Sequence, residues 1–169
     1  AGFASFNQDA LTEASKVLSD LLMFVGGSSG STAGGVKTVT MGLVILSAVS
    51  TMRGRRQVTV FGRSISQEDI ANAVSIALLV MGLSLLGAAV ITVCDGCSFM
   101  NAIYETISAL CTVGLTTGIT PTLCTASKLI LIVFMFFGRV GIMTIGVGFM
   151  MGDRAKERVQ YAQTKVMIG

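Results

Sequence analysis

Histidine is absent from this chain of 169 residues, and that absence removes a good deal of chemistry. The run Gly26-Gly27-Ser28-Ser29-Gly30 matches the G-x-S-x-G nucleophile elbow, yet no Ser–His–acid triad can be assembled within the chain. Cys94 and Cys97 form a C-x-x-C pair with no second pair and no histidine to complete a zinc site. In Gly35-Val36-Lys37-Thr38 the valine breaks the Gly-Lys-[Ser/Thr] order of a phosphate loop, and no strand pattern precedes it. The chain therefore does not read as an enzyme, and it implies no organic cofactor. Charge is also scarce, at 12% of residues against about 25% in an ordinary soluble domain. Basic and aromatic residues form no common stripe, so nucleic acid is not an expected partner.

What remains is apolar. Hydrophobic residues make up 52% of the chain and glycine contributes 20 residues against a single proline, with a mean hydropathy of +0.78. Glycine without proline suits packed transmembrane helices, so membrane lipid is the expected surrounding. Residues 16–25 and 36–49 are apolar but each is shorter than the ~20 residues a crossing needs. Between them lies Gly26-Gly27-Ser28-Ser29-Gly30-Ser31-Thr32-Ala33-Gly34-Gly35. Non-helical backbone at membrane depth needs protein or water around it. A discontinuous helix lining a pathway is one reading and a plain loop between two short helices is the other; composition favours the first. Residues 70–93 form a nearly unbroken apolar span. Ser66 is placed to N-cap it, Glu68 and Asp69 sit at the positive end of the helix dipole, and Asp95-Gly96 ends it.

The rest is organised around residues 101–147. They read as a short amphipathic helix, a hairpin rich in glycine and hydroxyls over residues 112–118, and a long apolar helix. A loop of exposed carbonyls between two helices at membrane depth is the arrangement of an ion-selectivity hairpin. The preceding helix, 98–110, is too short to cross; the following span, from 127 to about 151, is long enough. Arg139 interrupts that span, where a charge is costly and marks a functional position facing the bundle interior; a packing role is the alternative.

Charge sets the expected orientation. Eight of the twelve basic residues lie in 53–63 and 153–169, whereas Asp9, Glu13 and Asp95 lie at the opposite ends of the spans. By the positive-inside rule the basic loop and the C-terminal tail are cytoplasmic, and residues 98–120 must then enter and leave by the outer face. Lys16 and Lys128 fall at outer helix ends and are expected to snorkel. On that face Cys94 and Cys97 could pair or simply pack. Glu105 could add field at the mouth or hydrogen-bond behind the hairpin. The chain opens Ala1-Gly2-Phe3 with neither an initiator Met nor a signal-peptide pattern, and is expected to be the C-terminal part of a longer protein.

An internal repeat supports this. A shift of 112 residues places Gly2 on Gly114, Leu11 on Leu123, Ala14-Ser15-Lys16 on Ala126-Ser127-Lys128, and Met23-Phe24 on Met135-Phe136. Gly26, Thr32 and Gly34 then meet Gly138, Thr144 and Gly146. The expected fold is an all-α polytopic membrane protein of helix–pore loop–helix repeats, with a re-entrant selectivity loop and a broken inner helix. Residues 1–52 would end one repeat, 53–68 form the basic loop, 69–152 the next repeat and 153–169 the tail.

GGSSGSTAGGVK at 26–37, TVGLTTGIT at 112–120 and GRVG at 138–141 together resemble the Trk/Ktr/HKT superfamily of potassium transport proteins, most of all its Ktr-type membrane subunits. The resemblance covers essentially the whole chain, as the end of the third and all of the fourth of four repeats. It implies that Gly2 and Gly114 are filter glycines, with Thr112, Val113 and Leu115 supplying or positioning carbonyls, and that potassium binds the backbone carbonyls of Thr112, Val113 and Gly114. Gly26, Gly27, Ser28, Ser29, Gly30, Ser31, Thr32, Ala33, Gly34 and Gly35 become an intramembrane gate loop, and Arg139 an electrostatic barrier below the filter. The loop departs from the TVGYG of potassium channels after Thr112-Val113-Gly114, which leaves K⁺ over Na⁺ selectivity, and coupling to Na⁺, open. The implied protein is the pore-forming subunit of a potassium uptake system in the plasma membrane, multi-pass with a cytoplasmic C-terminus. The implied partners are a second copy, as a homodimer, and a cytosolic nucleotide-binding regulatory ring. A non-conducting structural or assembly subunit with a degenerate pore is the alternative, against which the glycines at 2 and 114 weigh.

Overall fold

The computed structural model describes residues 2–28, 30–31, 33–54, 58–60 and 63–140. Ser29 and Thr32 of the glycine–serine loop, Arg55 and Arg56 of the basic loop, and the expected span and tail beyond Val140 lie outside the described residues, as do Thr144 and Gly146 of the repeat.

Local signals in the sequence start and stop the helices. After a 3₁₀ turn at Gln8–Ala10, α1 (Glu13–Phe24) begins where the Thr12 hydroxyl accepts the Ser15 N–H at 3.3 Å, an N-cap that satisfies one orphan donor of the first turn. It ends at Phe24, just before Gly26-Gly27, and α2 (Thr38–Met52) resumes after the loop. The loop between them is pinched at its base. Gly26 N–H donates to the Val36 carbonyl at 2.8 Å, Val36 N–H to Phe24 at 3.2 Å and Thr38 N–H to Gly27 at 3.2 Å. The apolar pattern over 16–49 is thus two helices with a closed loop between them.

A hairpin of two residues per strand, β1 (Thr59–Val60) and β2 (Arg63–Ser64), sits in the 53–68 loop, a small departure from the expected all-α chain. Then comes α3 (Gln67–Asp95), with the Ser66 hydroxyl accepting the Glu68 N–H and Gly96 in the left-handed conformation closing its end. Its 29 residues make a rod of about 44 Å. Only 28% of its most apolar stretch is buried within the chain, whereas the core helix of a soluble domain would be mostly covered. Leu78, Leu86 and Val93 stand exposed along it, an apolar surface that fits lipid or further protein.

The centre is α4 (Phe99–Leu110), on which Ala102 and Tyr104 through Leu110 are all buried. It packs against α1, α3 and α5 (Thr125–Val140). The Phe134 ring of α5 lies against Gly87 of α3, where a Cβ would overlap the ring and force it to shift, the close approach that small residues permit between packed helices. Polar ties cross the same interfaces. The Thr106 hydroxyl donates to Ser84 O at 3.1 Å, Tyr104 OH to Gln8 Oε1 at 3.0 Å, and Lys16 Nζ to Asn101 Oδ1 at 3.0 Å. Lys16 is 4% exposed, so it does not snorkel as its position at a helix end suggests. It turns inward, where Asn101 at the start of α4 and Asp9 in the first 3₁₀ turn offer oxygen partners. Lys128 instead reaches the Pro121 carbonyl at 2.9 Å.

The repeat has a structural counterpart. The 112-residue shift carries the Gln8–Ala10 turn onto the 3₁₀ turn at Thr120–Thr122, and the first residue of α1 onto the first residue of α5. The copies part at their ends: α1 stops at Phe24, while α5 continues through Gly138 and Arg139.

Candidate functional site

The end of α4 turns the chain back along its own flank. Thr112 N–H donates to Ala109 O at 3.1 Å and Val113 N–H to Ser108 O at 2.9 Å, while the Ser108 hydroxyl donates to Leu115 O at 2.5 Å. One turn earlier, Glu105, 5% exposed, receives four donors. Its Oε1 accepts the Thr116 hydroxyl at 2.5 Å, the Thr117 N–H at 3.0 Å and the Thr117 hydroxyl at 3.3 Å; its Oε2 accepts the Thr120 hydroxyl at 3.0 Å. A buried carboxylate is tolerable when its oxygens are met in this way. Of the two roles open to Glu105 in the sequence, its hydrogen bonds serve bracing behind the hairpin. Residues 105 and 108, one helical turn apart, thus hold residues 113–120 against α4.

Along this braced segment Gly114 has φ +83° and its repeat mate Gly2 has φ +67°. Both values belong to glycine, whose missing Cβ makes the left-handed region accessible. The two come together: a Cβ built on Gly2 would overlap the Gly114 carbonyl oxygen and stand 3.0 Å from its carbonyl carbon. Equivalent residues of the two repeats therefore meet backbone to backbone. The Leu115 carbonyl, engaged by Ser108, is directed toward α4.

The glycine–serine loop lies against the base of this hairpin. Gly34 N–H donates to the Thr112 hydroxyl at 2.8 Å, and Gly35, at φ +76°, packs on the Cys111 side chain. Inside the loop Lys37 is the organising residue. Its Nζ donates to Ser31 O at 3.0 Å and to Ala33 O at 3.1 Å, while Ser31 N–H reaches Ser28 O at 3.0 Å. A cleft of about 810 Å³ opens between the two loops. Gly26, Gly27 and Gly34 line one side, Thr112 and Val113 the other, and Arg139 reaches it from the last turn of α5.

Gly2, Thr112, Val113, Gly114, Leu115, Arg139 and the described part of the 26–35 loop therefore share one region. Sequence reasoning passed over Lys37, Ser108 and the Gln8–Tyr104 pair. A readable signal existed for one of them, since Ser108 lies one turn after Glu105 on the same face of the short amphipathic helix. Lys37 carried no such signal, because its partners are backbone carbonyls. Chemically, the region offers backbone oxygens, hydroxyls and one guanidinium around an open cleft.

Residues 1–157 match the family model described as TrkH, cation transport protein. The chain is 36% identical over 169 residues to the Ktr system potassium uptake protein B of Bacillus subtilis (strain 168), covering 100% of the chain and 38% of that protein. It is 34% identical over 174 residues to the potassium/sodium uptake protein NtpJ of Enterococcus hirae, with 100% and 39% covered. To the Ktr system potassium uptake protein B of Vibrio alginolyticus it is 30% identical over 171 residues, with 100% and 37% covered. The chain thus spans about two fifths of the length of the curated relatives it matches. By this match over nearly its whole length, the chain belongs to the TrkH family of cation transport proteins, membrane transporters rather than enzymes.

Proposed function

We propose that this chain is the C-terminal part of a pore-forming subunit of a potassium uptake system, holding the end of a third and all of a fourth filter repeat. The observation that carries the proposal is the meeting of Gly2 and Gly114, each at positive φ and in backbone contact. Repeated segments that converge at one interface are the architecture in which transport sites form, and backbone carbonyls replace a cation's hydration shell. On this reading K⁺ passes the carbonyls of Thr112, Val113 and Gly114. The 26–35 loop is the intramembrane gate, and Arg139 sets a positive barrier in the cleft beneath. The names of two relatives, one a potassium and the other a potassium/sodium uptake protein, make Na⁺ the competitor to test and the candidate coupling ion. The proposed setting is the plasma membrane with the C-terminus cytoplasmic. The proposed assembly is a homodimer on a cytosolic nucleotide-binding ring that docks on the basic loop and tail.

The test is rubidium uptake into potassium-starved cells without transporters of their own, expressing the full-length protein. Wild-type uptake that disappears in Gly114→Asp at matched membrane abundance is expected, because a side chain at φ +83° is strained whatever space surrounds it. Equal uptake by both would refute the filter assignment. Uptake by neither, of rubidium or of sodium, would turn the reading to a non-conducting subunit.

A further inference from the structure

Thr112 is the one described non-glycine residue with positive φ, at 55°. A β-branched residue in that region is a genuine outlier, held there only when its surroundings over-determine it. Those surroundings come from two other parts of the chain. The hydroxyl accepts the Gly34 N–H of the glycine–serine loop at 2.8 Å, and a Cβ at Gly34 would stand 2.6 Å from that oxygen and 2.9 Å from the Thr112 methyl. On the other side the methyl faces Gly138 of α5, where a Cβ would come within 3.0 Å of it. Thr112 is thus wedged between two glycines, one in the loop and one immediately before Arg139. The Cys111 carbonyl, whose peptide plane turns with φ of Thr112, lies against Gly34 as well, 3.0 Å from the same built Cβ.

We infer that Thr112 is a positioning residue that couples the 26–35 loop to the carbonyl geometry of residues 112–115, so that ion flow and ion discrimination change together. This rests on the reading of 112–115 as a filter and of 26–35 as a gate. Withdrawal of Gly34 removes the hydrogen bond and the contact that hold Thr112 at positive φ. Relaxation of that angle re-aims the adjoining peptide groups, and with them the oxygens offered to a cation.

The experiment compares wild type, Thr112→Val and Thr112→Ser in the full-length protein, measuring the maximal rate of rubidium uptake and its inhibition by sodium. Valine keeps the shape and removes the acceptor; serine keeps the acceptor. In Thr112→Val the rate is expected to rise and rubidium-over-sodium discrimination to fall, each by about fivefold, the equilibrium shift that accompanies one lost hydrogen bond. Thr112→Ser is expected to restore the wild-type discrimination. Should Thr112→Val fail to reach the membrane, Lys37→Met frees the same loop from its bonds to Ser31 and Ala33, and the same joint change is expected. A slower rate at unchanged discrimination, or no change in either, overturns the coupling while leaving the pore reading intact. No uptake by the wild type overturns both.

Discussion

At the scale of single residues, Glu105 shows how much one buried side chain can organise. Four donors from three threonines converge on its carboxylate, and each buried donor left without a partner costs about 1–3 kcal/mol. Glu105→Ala is therefore expected to lower the thermal stability of the detergent-solubilised full-length protein and to reduce rubidium uptake at least about tenfold. Glu105→Gln, which keeps the shape but presents an NH₂ to donors, should fall between it and the wild type. Stability and uptake of Glu105→Ala equal to wild type would show that the hairpin stands without this brace. Glu105 was legible as the one acid on a short amphipathic helix. Its partners were not, because Thr116, Thr117 and Thr120 reach it only after the chain reverses at Thr112.

At the scale of elements, the join between α3 and α5 depends on a cap supplied from elsewhere in the chain. The residue before α5 is Cys124, whose sulfur accepts the Ser127 N–H at 3.4 Å, a weak cap beside an oxygen one. Asp95, the last residue of α3, adds what the sulfur lacks. Its Oδ1 accepts the Cys124 N–H at 2.5 Å and its Oδ2 the Ser127 hydroxyl. A carboxylate there also faces the positive end of the α5 dipole. Asp95→Ala should lower the melting temperature of the solubilised protein, because it removes the oxygen acceptors from the start of α5. Asp95→Asn, which keeps one of the two acceptor oxygens and turns an NH₂ toward the other donor, should recover part of the loss. An unshifted melting temperature in Asp95→Ala would remove the cap from the account. From sequence, Asp95-Gly96 read correctly as the end of α3, while its second role needed the fold to bring residue 124 alongside.

At the scale of the whole molecule, the orientation in the membrane is open to direct test. The positive-inside reading puts the 53–68 loop in the cytoplasm and the Thr120–Thr122 turn outside. In a full-length protein otherwise without cysteine, Thr122→Cys should react with an impermeant maleimide on intact cells. Ser64→Cys should react only after permeabilisation; both positions are exposed in the fold. The reverse pattern would invert the topology and with it the side from which the cleft is reached.

Periodicity and punctuation determined much of this protein. Apolar run length set α3; Ser66 and Gly96 set its ends; the 112-residue repeat paired Gly2 with Gly114 and put α1 in step with α5. Each of these is a property of neighbours along the chain, or of two stretches that share one pattern, and so is written in order. Tertiary structure alone decided that Lys16 turns inward to Asn101 rather than out to the interface. It alone gave Lys37 the carbonyls of Ser31 and Ala33, and lodged Thr112 between Gly34 and Gly138. Lys16 and Asn101 are side chains 85 residues apart; the other two are contacts between a side chain and backbone that the chain brings alongside only on folding. No residue type announces a carbonyl or an amide, and so no pattern in the sequence could have marked them.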